Sequence, residues 1–83
     1  MEENWFDAFN ILNEVETERN NQIKKWGEQT HGPDRWMSIL VEEVGEVARA
    51  ANERFPRQYR AELIQVAAVA VAMIETLDRT GRF

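Results

Sequence analysis

Between Leu63 and Ile74, eleven of twelve residues are apolar, and only Gln65 interrupts them. This segment limits the fold more than any other stretch of the chain. It is too short to span a bilayer, which takes about 20 apolar residues. Read as part of a helix from about Gln58 to Arg79, it is apolar on every side, and such a helix must be enclosed on every side. The whole chain has 83 residues. That length makes one small domain, residues 1–83, whose own core is marginal. Two further helices of a chain this short cannot enclose the segment, so a second copy is expected to complete the core.

The rest of the sequence supplies those two helices. The first spans about Trp5 to Lys25, where Trp5, Phe9, Leu12, Arg19 and Ile23 follow helical spacing and Phe6 and Val15 widen the stripe. "WGEQTHGPD" breaks the pattern with two glycines and a proline. The second helix is expected from Asp34, as N-cap, to about Arg54, with Trp36, Leu40, Val44, Val47 and Ala51 as its stripe. "FPRQ" ends it, because proline cannot continue a helix interior. No alternating pattern marks a strand. The expected fold class is therefore all-α, a short bundle of three main helices per chain completed by homo-oligomerisation to a dimer or tetramer.

The charge balance narrows the partners. The formal net charge is −5, and nucleic-acid binding asks for a basic surface. The absence of cysteine excludes disulfides and thiolate metal sites. "MEENWFDAF" lacks the basic start and apolar run of a signal peptide, so a cytoplasmic location is expected, with no membrane partner.

Against this background the stretch "VEEVGEV", residues 41–47, is out of place. Each helical residue turns the side chain by about 100°. With Trp36 at zero, the apolar residues of the second helix centre near roughly 50° and Glu43 falls near roughly 340°. Glu43 therefore projects beside Trp36, Ile39, Val47 and Ala50. Glu46 lies at the border, near roughly 280°, and Glu42 further out, near roughly 240°. The third helix repeats the pattern: Glu62 shares a face with Val66, Val69 and Met73, with Gln65 one turn along. An unpaired buried carboxylate takes up a proton or costs several kcal/mol. Carboxylates aimed into one interior from two helices imply a cation between them, and oxygen ligands alone suit a hard ion such as Mg²⁺ or Mn²⁺. The plainer reading makes Glu42, Glu46, Arg49 and Glu53 a solvated stripe of i,i+3 and i,i+4 pairs, which leaves Glu43 and Glu62 unexplained.

At these residues the sequence resembles the MazG-like, all-α nucleoside triphosphate pyrophosphohydrolases, a family with E-E-x-x-E on one helix and E-x-x-D on the next. The first half is complete in Glu42, Glu43, Val44, Gly45 and Glu46. The second reads Glu62, Leu63, Ile64 and Gln65, with glutamine in the place of the family's aspartate. "KKWGEQTHGPDRW" also resembles small phage- and integron-type members. The resemblance implies Mg²⁺- or Mn²⁺-dependent hydrolysis of a nucleoside triphosphate to monophosphate and pyrophosphate, in a house-cleaning role. It implies Glu43, Glu46 and Glu62 as metal ligands, Gln65 in the fourth place, and Glu42 as the base for the attacking water. A neutral amide in the fourth place should weaken metal binding. A second E-x-x-D, Glu75 and Asp78, points roughly 140–160° away from Glu62 and is read as a solvated helix end.

Several other residues have two readings. Lys24 and Lys25 can hold a phosphate and Trp26 can stack on a base. Equally, the lysines complement the first helix's dipole and Trp26 joins the core. Arg79 can contact phosphate or serve the third helix's dipole. His31 has no partner at ligand spacing, which gives it a loop or capping role. The expected function is thus a small metal-dependent nucleotide pyrophosphohydrolase. The rival is a non-catalytic helical oligomer that binds a nucleotide or metal, or serves as an interaction module.

Overall fold

A computed structural model describes residues 5–83, and their side chains from Asp7 onward. It contains three helices, α1 (Trp5–Trp26), α2 (Pro33–Asn52) and α3 (Pro56–Thr80), and no strand among the described residues. The fold is all-α. No described helix is long and apolar enough to cross a membrane.

α3 is the central element. It packs against both α1 and α2, whereas α1 and α2 do not pack on each other. Side-chain pairs fix the directions. Glu14 meets Arg60 and Gln22 meets Gln65, so α1 runs parallel to α3. α2 runs back along α3 with Trp36 against Val69 and Ala72, and with Ile39, Leu40 and Met73 around them.

The breaks between helices act as the sequence predicts, with shifted boundaries. Gly27 at φ 75° ends α1, and its N–H reaches Ile23 O at 2.7 Å. α2 begins earlier than expected. Gly32 is its N-cap and Pro33 its first residue, so Asp34 is not the cap but lies in the first turn. Proline suits that position because its fixed φ is helical and an N–H there has no partner inside the helix. α3 likewise starts at Pro56 and not at Gln58.

Two expected packing faces are corrected. On α1 the expected Val15 and Arg19 do turn to α3, joined by Gln22, while Phe9, Leu12 and Ile23, expected on the same stripe, remain exposed. The side chains of Trp5 and Phe6, which head the expected stripe, lie outside the described residues. On α2 the buried side is set by Trp36 and Ala50, with Ile39, Leu40, Glu43 and Val47 half-buried between them, and Val44 and Ala51 exposed. Trp26 is not in the core; it is 56% exposed.

Candidate functional site

The α2 register that buries Trp36 and Ala50 carries Glu43 inward with them, seven residues after the one and seven before the other. Glu42 and Glu46 flank it on the exposed side. From α3, Glu62 arrives half-buried, and the Glu43 and Glu62 carboxyls lie within hydrogen-bonding reach. The Gln58 amide, one turn before Glu62, donates to its Oε1 at 2.6 Å.

Electrostatics follows from this placement. Glu43 is pushed above the ordinary carboxyl range, first by burial, then by the charge of Glu62 and the hydrogen bond to it, and further by Glu42 and Glu46. The charges of Glu62, Glu42 and Glu46 thus all bear on Glu43. As the side chains stand, only Glu43 and Glu62 meet. Among the described residues no group of three acidic or histidine side chains converges to ligand spacing. The donors available are all carboxylate oxygens, which fit a hard divalent ion, and the like charges packed together are what such an ion would relieve.

Gln65 turns to the other side of α3. Its Nε2 donates to Glu18, and its Oε1 accepts from Gln22 Nε2 at 3.2 Å, so α1 engages both ends of the amide. It lies on the wall of a groove of about 600 Å³ between α1 and α3, with Glu14, Glu18, Asn21, Arg57 and Arg60. There Arg60 holds Glu14 through two hydrogen bonds of 2.8 and 2.6 Å, which keep the Glu14 carboxyl below its ordinary range.

The remaining candidates sit elsewhere. Lys24, Lys25 and Trp26 form the exposed last turn of α1, with the Lys25 ammonium 4.8 Å from the centre of the Trp26 ring. Arg79 is spent on the loop after α1, where it pairs with Glu28 at 3.0 Å and donates to Thr30 Oγ1 at 3.2 Å. His31 lies edge-on to Trp36. Glu75 is not a free helix end: its Oε1 accepts from the Nε of buried Arg19 at 2.6 Å. Sequence reasoning missed Glu14, Glu18, Gln22 and Arg60 altogether. The one available hint was Arg19, a charged residue within the apolar stripe of α1.

Comparison with protein-family models, with curated proteins and with solved structures returned no match.

Proposed function

We propose that the chain is a metal-dependent nucleoside triphosphate pyrophosphohydrolase, similar to the MazG-like enzymes, and that it works as a homo-oligomer. The observation that carries the reading is the meeting of Glu43 and Glu62. Two carboxyls, one from each of two facing helices, are brought together in a half-buried place where neither has a cation to offset it. Without metal a proton relieves such a pair, and a cation held between the two carboxylates would relieve it with both ionised.

In this reading Glu43, Glu46 and Glu62 hold Mg²⁺ or Mn²⁺, and Gln58 orients Glu62 through the hydrogen bond to its Oε1. The ion, when bound, offsets phosphate charge and acidifies water. Glu42 is exposed and adjacent to Glu43. It accepts the proton of the attacking water, a role that suits a carboxylate kept in solvent. Gln65 occupies the family's fourth position by spacing, but its hydrogen bonds give it to α1. That favours three ligands, all carboxylates, over a set of four that includes the Gln65 amide. It also keeps a second reading alive, a helical oligomer that binds nucleotide or metal without turning it over.

A panel of ribo- and deoxynucleoside triphosphates with Mg²⁺, assayed for pyrophosphate release, separates the two. We expect release from at least one of them, and a fall of about 10²-fold or more in kcat for Glu42→Gln with nucleotide binding retained. Binding without release by the unaltered protein would select the second reading.

A further inference from the structure

We propose that Arg57 is the residue that receives the phosphate tail of the triphosphate, a role that rests on the function proposed above. Arg57 stands in the first turn of α3 and lines two cavities. One is the groove between α1 and α3. The other is a depression of about 480 Å³ between the end of α2 and the start of α3, which it shares with Glu46, Arg49, Glu53 and Gln58. This depression adjoins the carboxylate cluster at two points. Glu46 belongs to both, and Gln58 is bonded directly to Glu62. Arg57 stands five residues before Glu62, about 7.5 Å along the axis and roughly 140° around it, so its route to the cluster runs through the depression it shares with Glu46 and Gln58. That distance is within the span of a phosphate chain and a long side chain together.

Charge makes a cation necessary there. One divalent ion leaves a cluster of four glutamates net negative, and the substrate tail brings several more negative charges. The protein must offer positive charge of its own beside the cluster, and arginine is the side chain suited to phosphate. Four of the eight arginines are committed, and of the others Arg35, Arg54 and Arg82 line neither cavity. Arg19, Arg49, Arg60 and Arg79 pair with Glu75, Glu53, Glu14 and Glu28. Lys24 and Lys25 lie at the far end of α1, which runs parallel to α3 and away from its start. Arg57 makes no ion pair among the described residues, although Glu14, Glu18, Glu46 and Glu53 share its cavity walls. An arginine left unpaired among four carboxylates, in an acidic protein, is available to a ligand.

The test compares Arg57→Ala and Arg57→Lys with the parent. Arg35→Ala, an exposed arginine that lines neither cavity, controls for lost charge. The readouts are KM and kcat on the best triphosphate substrate with Mg²⁺, and direct binding of inorganic tripolyphosphate. We expect Arg57→Ala to raise KM and to weaken tripolyphosphate about tenfold, Arg57→Lys to recover part of both, and Arg35→Ala to change neither by more than about twofold. Equal values for Arg57→Ala and Arg35→Ala on an active parent would overturn the role of Arg57 and leave the proposed function standing. A parent that releases no pyrophosphate from any triphosphate would overturn the function instead. Tripolyphosphate binding then judges Arg57 alone, and equal binding by parent and Arg57→Ala, or none by either, counts against it.

Discussion

Glu43 is half out of water beside another carboxyl, and its titration links the site to stability. Its folded pKa is raised, chiefly by burial and then by Glu62, Glu42 and Glu46. The protonated form is therefore the one the metal-free fold prefers. Below the ordinary carboxyl range this preference is fully satisfied. As pH rises through the elevated pKa of Glu43, the metal-free protein loses that stability, because it must ionise a group the fold disfavours. Glu43→Gln keeps the shape and hydrogen-bonding capacity and removes the charge. We expect its metal-free melting temperature to exceed the parent's at pH 7 and to depend less on pH between about 4 and 7. Mg²⁺ or Mn²⁺ should raise the parent's melting temperature, since the folded state binds the ion and the unfolded chain does not, and most of that gain should vanish in the variant. Thermal scans of both proteins with and without millimolar cation check every part. Equal parent values with and without cation would remove the metal from the site.

At the level of the helices, much was legible and the exceptions have physical causes. Helical spacing alone turned Glu43 inward, because Trp36 and the apolar residues after it define one face whatever packs on it. The face of α1 was legible only in part. Spacing groups Val15 and Arg19 with Phe9, Leu12 and Ile23; the first two are buried against α3 beside Gln22, while the other three are exposed. A buried arginine reads as an anomaly until its partner is known, and Glu75 lies 56 residues away in the chain. The orientation of Gln65 was hidden for the same reason, since Glu18 and Gln22 belong to another helix. Capping was half legible. "FP" marks the α2–α3 break, yet Arg54 takes φ 59°, a conformation usually filled by glycine. The Arg54 N–H bonds Ala51 O and the Phe55 N–H bonds Ala50 O, the paired bonds of a Schellman ending. Arg54→Gly removes the steric cost of that φ while giving the unfolded chain more freedom, so we expect a net gain of no more than about 1 kcal/mol. Arg54→Val, branched at Cβ, should lose about 1 kcal/mol or more. Urea denaturation of the three proteins measures both, and a stable valine variant would contradict the account of this turn.

For the whole molecule the question is what covers α3. The described chain buries few side chains and none of the large ones completely; its least exposed residues are Ala68 and Ala72. Leu63, Val71, Ile74 and Leu77 are all exposed, Ile74 to 60%, with Ala67 and Ala70 half-buried among them. Their spacing of 63, 67, 70, 71, 74 and 77 is one helical face, a continuous apolar stripe about four turns long. On α1, Phe9 and Leu12 add to the uncovered surface. A chain of this length with so small a core gains little stability by itself. If the assembly proposed above forms, the burial it adds serves folding as well as function. A partner required for folding has to be present whenever the chain is made, and a second copy of the chain meets that condition without further assumption. The alanines of the stripe allow two such helices to approach closely. We therefore expect sedimentation to show a dimer or larger assembly at micromolar concentration, with a melting temperature that falls on dilution. Ile74→Glu places a charge at the centre of the stripe, and should shift the protein to monomer and lower its stability together, because association and folding depend on the same surface. A folded monomer at micromolar concentration, with a melting temperature unchanged over a hundredfold dilution, would show that α3 needs no partner and that the exposed stripe has some other purpose.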